Sequence, residues 1–176
     1  QTDALLRLRL ARTMLHATVG QVVLAMSAVP RYRHQTLTDL SHLVIDPLVR
    51  DRVAIANAGQ DGDPKTALAP AAVAIWATVS PEVEEKIKEQ IKAKVFPVRM
   101  KPDDWNSGSI VWLIDVIAPS RELATAVLVN FQQVAKADSI KIHPLIRDLV
   151  DPEVLDKLSS KADQEPVDNG NNTRLN

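Results

Sequence analysis

The run IVWLIDVIA, residues 110–118, is the stretch that most constrains how this chain folds. It has the length of a strand, and apolar residues lie on both of its faces, which is typical of a strand buried within a sheet. Asp115 interrupts the run. Because an ionised carboxylate is costly there without a charged or hydrogen-bonding partner, Asp115 is a candidate functional residue. The alternative is a structural carboxylate that caps a loop or pairs with an arginine.

Helical and strand patterns alternate along the rest of the chain. Helical patterns cover residues 3–28, 36–46, 81–94 and 121–137, and a short last helix opens at Asp151-Pro152. Strand patterns cover residues 52–58, 71–80, 110–118 and 139–145. Ser80 and Ser120 are the predicted N-caps of the helices that follow them. This interleaving predicts an α/β or α+β fold with a sheet of about four to six strands flanked by helices.

The domain organisation follows from length and local composition. The chain has 176 residues, which is enough for one domain with a substantial core, and we expect that domain to cover residues 1–158. Residues 159–176 have almost nothing to bury, so we predict a disordered C-terminal tail. Residues 59–70 are polar and contain two glycines, which predicts a surface hairpin or loop.

The composition excludes several classes of function. The net charge is -1, so binding to nucleic acid would need a local basic patch, and we expect no such partner. There are no cysteines, which excludes disulfides and thiolate catalysis. The glycines are too scattered for a phosphate-binding loop, and the chain lacks zinc-protease and serine-hydrolase motifs, so we expect no bound metal or cofactor. No apolar run approaches the ~20 residues that a membrane-spanning helix needs.

Of the four histidines, His34 has the most suggestive position. It lies in a loop directly after the first predicted helix, beside Arg31, Tyr32 and Arg33, and loops carried by rigid elements often hold catalytic groups. The other three are more simply explained as packed or surface imidazoles; they are His16 and His42 within helices and His143 before a proline at a strand end.

Two groups of basic residues are candidate docking surfaces for an acidic partner, although ordinary surface charge explains them as well. One group is Arg31, Arg33, Arg50 and Arg52; the other is Lys92, Lys94, Arg99 and Lys101.

The segment WNSGSIVWLIDVIAP resembles the signature of the RTX toxin-activating lysine acyltransferases, the haemolysin-activating proteins. The matching positions are Trp105, Ser107, Gly108, Trp112, Asp115, Ile117, Ala118 and Pro119. VGQVVLAMSAVP resembles the first helix of that family, and AIWATVSPEVEEKI resembles its tryptophan-bearing strand and the following helix. The resemblance covers about residues 15–145.

This resemblance implies a GNAT-like acyltransferase fold with a mostly antiparallel or mixed sheet. It also implies transfer of a fatty acyl chain from acyl carrier protein to lysine ε-amino groups of a protoxin, by a cytoplasmic homodimer. In the family a histidine just after the first helix and the strand aspartate form the catalytic pair. The aspartate matches Asp115, whereas the histidine position falls on Tyr32, with His34 two residues later.

We predict that His34 is the base, with Tyr32 as the alternative. An imidazole suits the deprotonation of a lysine ammonium better than a phenol with a pKa of about 10. Residues around the pair are expected to contact substrate: Arg31, Arg33, Trp105, Asn106, Ser107, Gly108 and Trp112. Backbone N–H groups near Asn106 to Ser109 are the expected oxyanion donors.

Two other functions remain open from the sequence. Tyr32 at the histidine position favours a non-catalytic binding or adaptor module on the same fold. An enzyme that uses a small acyl-coenzyme A is disfavoured, because the chain has no glycine-rich pyrophosphate loop. An imidazole nitrogen within reach of the Asp115 carboxylate distinguishes the enzyme from the adaptor.

Overall fold

A computed structural model describes residues 2–57, 69 and 71–159 of the chain. Within these residues the α-helices are α1 (Thr2–Ser27), α2 (Asp46–Leu48), α3 (Pro81–Lys92), α4 (Arg121–Ala135) and α5 (Pro152–Ser159). The strands are β1 (Val53–Ala56), β2 (Ala72–Val79), β3 (Ile110–Ile117) and β4 (Ile140–Ile142). Every predicted strand is therefore present, and the last short helix is confirmed as α5.

The strands form one mixed sheet in the order β1-β2-β3-β4. β1 pairs antiparallel with β2, and β2 pairs antiparallel with β3. β4 runs parallel to β3, because α4 carries the chain back across the sheet between them. This confirms the predicted α/β (α+β) class with a mixed sheet, and the arrangement is consistent with a GNAT-like fold.

Helices cover both faces of the sheet, so β2 and β3 are buried on both sides, as their apolar sequences predict. On the first face, the buried residues of α1 and α3 pack on the strands; they include Val22, Met26, Val83 and Ile87. On the second face, α4 and α5 pack on the strands through residues that include Val127, Leu128, Phe131 and Leu155.

Both predicted serine caps are confirmed. Ser80 Oγ accepts a hydrogen bond from Val83 N at 3.3 Å, and Pro81 occupies the first turn of α3. Ser120 Oγ accepts one from Leu123 N at 3.3 Å and starts α4. Each hydroxyl satisfies a backbone N–H that the helix itself leaves without a partner.

The second predicted helix is irregular, and it does not end before Pro47. It consists of a 3-10 turn (Leu37–Asp39), a π-helical segment (Ser41–Ile45) and the single turn α2, which contains Pro47. Proline is tolerated in a first helical turn because its missing N–H would have no partner there. Pro47 therefore starts a turn instead of ending one.

The N-terminal half of α1 projects from the core. Its large apolar side chains Leu5, Leu6, Leu8, Leu10 and Met14 are exposed, whereas Val22 and Met26 near its end are buried. None of the described helices is both long and apolar enough to cross a bilayer. Of the predicted tail, Ser159 is the last residue of α5, and residues 160–176 lie outside the described residues. The predicted loop over residues 59–70 also lies outside them, apart from residue 69.

Candidate active site

A β-bulge in β3 determines which way Asp115 faces. Asp115 pairs with Ile75 of β2, but the next pair is Trp76 with Leu113, so Ile114 is an extra residue. A bulge shifts the in-out alternation of a strand and re-aims its side chains. Ile114 and Ile75 both belong to the core layer under α1, and Asp115, directly opposite Ile75, faces the same side. Without the bulge, Asp115 would share the opposite face with Leu113.

Three donors meet the Asp115 carboxylate, which is only 3% exposed. Arg31 Nη2 donates to Asp115 Oδ1 at 2.9 Å and also to the Val116 carbonyl oxygen at 2.8 Å. The backbone N–H of Val116 donates to Oδ1 at 2.7 Å. The Tyr32 hydroxyl donates to Oδ2 through a short hydrogen bond. Arg31 and Tyr32 reach the strand because the 3-10 turn Pro30–Tyr32 follows α1 directly.

The surroundings of this cluster favour protonated forms. Burial raises the pKa of Asp115 above its usual range, although the Arg31 guanidinium and the Tyr32 hydroxyl oppose the shift. Burial and the neighbouring Asp115 charge raise the pKa of Tyr32 well above its usual value. Tyr32 therefore stays a phenol that donates its proton toward a carboxylate with an increased affinity for that proton.

The structure does not bring His34 to Asp115. The His34 side chain is exposed, and its Nε2 accepts a hydrogen bond from Arg33 Nε at 3.1 Å. Tyr32, the predicted alternative to His34, instead donates to the second carboxylate oxygen of Asp115. The predicted pairing of His34 with Asp115 is thus absent here, since the turn that buries Tyr32 leaves His34 on the surface.

His143, which sequence reasoning set aside, lies at the site. It follows β4, and its backbone N–H donates to the Leu113 carbonyl oxygen at 3.0 Å, which extends the parallel pairing toward Asp115. Its Nδ1 accepts a hydrogen bond from Leu145 N at 3.1 Å. Burial lowers the pKa of His143, although the nearby Asp115 charge opposes that shift. A neutral ring whose Nδ1 accepts carries its proton on Nε2.

Tyr32, Asp115 and His143 line one cleft on the α1 face of the sheet. Its remaining walls are mostly apolar and comprise Leu43, Ile75, Phe96, Pro97, Val98, Trp105, Ile114 and Leu145. The volume within it is about 20 Å³, enough for roughly one water molecule or one substrate oxygen. The cleft therefore has room for one small polar group beside Tyr32, Asp115 and His143.

The sequence model of the RTX toxin acyltransferase family matches residues 12–149, which contain every residue of this cleft. The chain belongs to the RTX toxin acyltransferase family. Membership implies acyltransferase activity of the kind that activates RTX toxins. None of the curated proteins matches the chain.

The segment that resembles the family signature, residues 105–119, contains residues that line the cleft and residues with other contacts. Trp105 and Asp115 line the cleft. Trp112 instead donates its indole N–H to Glu84 of α3 at 3.1 Å. The sequence alone does not show that Trp105 lines the cleft whereas Trp112 binds Glu84.

The loop at Asn106 to Ser109 is tied to the end of β2. Gly108 N donates to the Thr78 carbonyl oxygen at 3.2 Å, and Ser107 Oγ accepts from Ser80 N at 3.0 Å. Asn106 forms an isolated bridge with Thr78. The Gly108 N–H, an expected oxyanion donor, is therefore already engaged by the sheet.

The two basic groups differ in the contacts and the exposure of their side chains. Arg52 stacks over the Trp76 ring at 4.5 Å, and Arg50 pairs with Asp46 at 3.3 Å. The four residues of the other group, Lys92, Lys94, Arg99 and Lys101, are all exposed. Between them the chain passes through Phe96, Pro97 and Val98, which line the cleft. We call these four residues the basic rim, because they flank a cleft wall.

Proposed function

We propose that this protein transfers a fatty acyl chain from acyl carrier protein to the ε-amino group of lysines in an RTX-type protoxin or a related secreted protein. The observation that carries the proposal is the buried Tyr32–Asp115 hydrogen bond, whose two residues line a cleft within the part of the chain that matches the family. The family resemblance adds two expectations to it, a cytoplasmic reaction and a homodimer.

Proton removal is the central chemical requirement. A lysine side chain has a pKa of about 10.4, so at neutral pH it must lose a proton before it attacks. In the proposed step the Tyr32 oxygen accepts that proton while its own proton moves to Asp115. The raised pKa of Asp115 favours this transfer. Arg31 keeps the carboxylate ionised and oriented before the reaction.

The bond changes balance without a further reactant. The neutral amine attacks the thioester carbonyl carbon, and the carbon–sulfur bond breaks as the amide forms. The second amine proton goes to the departing thiolate, which leaves as the free thiol of the carrier. The proton held by Asp115 returns to water through Tyr32 when the cleft opens to solvent.

The basic rim supports a carrier-protein donor. An acidic carrier surface is attracted to exposed lysines and arginines, and such attraction orients the partner as well as binding it. Docking there would bring the thioester arm to the connector that forms a wall of the cleft. Rim substitutions with charge reversal, Lys94→Glu with Arg99→Glu, should raise KM for the carrier and leave kcat nearly unchanged.

The test is acyl transfer from acyl carrier protein to a lysine-bearing substrate protein encoded beside this gene, read by intact mass. The parent should add acyl mass, whereas Tyr32→Phe and Asp115→Asn should lose about 10²- to 10⁴-fold in rate. His34→Ala is the matched control and should stay within about twofold, because His34 is on the surface. Circular dichroism establishes that each variant is folded. Loss of activity in His34→Ala alone would overturn the assignment to Tyr32.

A non-catalytic binding module is the second candidate. Two observations favour it. Tyr32, and not the His34 imidazole, meets Asp115, and both Asp115 oxygens already accept hydrogen bonds, as in a structural ion pair. A parent that binds the substrate protein but adds no mass from either acyl carrier protein or acyl-coenzyme A would establish this second function.

A further inference from the structure

We propose that the indole N–H of Trp105 and the Nε2–H of His143 form an oxyanion pocket, which holds the carbonyl oxygen of the acyl thioester during transfer. The proposal rests on the proposed function in one respect, that the substrate is a thioester. It assigns roles to two side chains that line the same cleft as Tyr32 and Asp115.

Trp105 supplies a donor that has no acceptor. The residue is 3% exposed, and its Nε1 is buried with no hydrogen-bond partner among the described residues. A buried N–H left without a partner loses its hydrogen bonds to water, so such groups usually face an ordered water or a ligand oxygen. Trp105 lines the cleft, whose volume suits one such oxygen.

His143 supplies a second donor, because its other nitrogen is already engaged. Nδ1 accepts the Leu145 N–H at 3.1 Å, which leaves the proton of the neutral ring on Nε2. His143 lines the cleft, so we assign this N–H as the second donor of the pocket, and a ring that carries its proton on that atom does not act as a base through it. This is a different role from the one that a histidine beside an aspartate usually takes.

The Trp105 and His143 N–H groups therefore add two hydrogen-bond donors to the cleft. Both Asp115 oxygens already accept hydrogen bonds, Oδ1 from Arg31 and Val116 and Oδ2 from Tyr32. Arg31 also offsets the Asp115 charge, so a negative oxygen is not repelled by an unpaired carboxylate. Two neutral N–H donors in a mostly apolar cleft suit the charge that develops on a thioester oxygen as the amine attacks.

Trp76 offers a matched control within the chain. Its indole N–H is also buried without a partner, but Trp76 belongs to the other face of the sheet, where its ring packs edge-on to Phe131. Phenylalanine at either position removes one indole N–H and keeps a large aromatic ring. If Trp105→Phe lowers the rate and Trp76→Phe does not, the effect comes from the N–H in the cleft and not from the loss of a tryptophan in general.

The kinetic test uses acyl transfer by the full chain. Trp105→Phe should lower kcat by about 10²-fold, the range seen when one oxyanion donor is removed, with KM for the carrier unchanged. Trp76→Phe should keep kcat within about twofold. His143→Leu should lower kcat as Trp105→Phe does, and His143→Gln, which restores an N–H, should recover part of the loss. Parent-like kcat in Trp105→Phe would overturn the proposal.

A second test does not depend on transfer to lysine. The chain has three tryptophans, so ¹⁵N-indole labelling gives three N–H resonances that single Trp→Phe variants assign. Saturating octanoyl-pantetheine, a carrier-arm thioester, should move the Trp105 resonance and leave that of Trp76 in place. An unmoved Trp105 resonance counts against the pocket. A moved Trp105 resonance in a chain that acylates no lysine would keep the pocket and reject the proposed function.

Discussion

Asp115 lies directly opposite Ile75 across the antiparallel pair β2–β3, and this register follows from the extra residue Ile114. One inserted residue places the carboxylate on the face where Arg31 and Tyr32 arrive from the end of α1. On the other face it would lie among the apolar residues under α4. The bulge therefore links the local geometry of β3 to the chemistry of the cleft.

Replacing Arg31 tests how much the guanidinium of Arg31 stabilises the buried carboxylate of Asp115. Arg31→Met removes the ion pair at 2.9 Å and leaves Asp115, whose side chain is 4% exposed, with one fewer donor. Breaking a buried pair in this way costs about 3–5 kcal/mol, and the partial exposure of Arg31 reduces that to about 2–4 kcal/mol at pH 7. Urea unfolding measures the loss.

The loss should depend on pH. Without Arg31 the pKa of Asp115, already raised by burial, rises further above its unfolded value. A carboxyl with a raised folded pKa is penalised when ionised, so the variant should regain stability as pH falls toward about 5. Arg33→Met is the control, because Arg33 is exposed, and it should change stability by no more than about 0.5 kcal/mol. Equal losses in the two variants would contradict the ion pair's role.

A substitution at Gly108 tests how closely the loop at Asn106 to Ser109 packs on β2. A Cβ at this position would lie 2.5 Å from the Val79 carbonyl oxygen and 2.6 Å from Ser80 N, both of them backbone atoms that cannot move aside alone. Gly108→Ala should therefore lower the free energy of unfolding by about 1–3 kcal/mol.

Gly20 in α1 is the matched control for that substitution. Nothing lies within 4 Å of a Cβ built there, and alanine is the better helix former, so Gly20→Ala should stabilise by about 0.5–1 kcal/mol. Thermal and urea unfolding of the two variants should give shifts of opposite sign. A stabilising Gly108→Ala would show that the loop is not packed as described.

The sequence was sufficient for most of the fold because its signals are local. Serine caps at Ser80 and Ser120, together with apolar strands between polar turns, predict α3, α4 and all four strands. The irregular helical segment before β1 was not predictable, because the apolar pattern of a helix does not distinguish a π-helical turn from an α-helical one. The tail and most of the predicted polar loop stay predictions.

The site was only partly predictable, for reasons that lie in the pairing of strands. Asp115 is recognisable as a charge in an apolar run. The face of the sheet on which its side chain lies depends on a bulge, which the alternating pattern of a strand does not reveal. His143 reaches the cleft through the parallel register Leu113 with Ile142, a long-range pairing with no local signal. Choosing between His34 and Tyr32 required the turn geometry after Pro30, which buries one ring and exposes the other.

Glu84 is a second buried carboxylate, and its contacts connect α3, β3 and β4. From α3 it accepts the Trp112 indole N–H of β3 at 3.1 Å, a short hydrogen bond from Lys141 of β4, and an ion pair from Lys88 at 3.4 Å. Burial opposes ionisation, but the Lys141 and Trp112 hydrogen bonds hold the pKa of Glu84 below its usual value. Glu84→Gln should cost about 1–3 kcal/mol at pH 7.

The sign of the pH dependence separates charge from packing in this case. Because the folded pKa of Glu84 is lowered, its stabilisation is present above the unfolded pKa of about 4.3 and is lost as pH falls through the folded value. The gap between parent and Glu84→Gln should therefore shrink below about pH 4.3, whereas the exposed control Glu89→Gln should differ little from the parent at any pH. A gap independent of pH would mean that Glu84 acts through packing alone. Lys141 lies two residues before His143. Glu84→Gln weakens the contact between Glu84 and Lys141, so it should also lower the acyl-transfer rate, which the intact-mass assay measures.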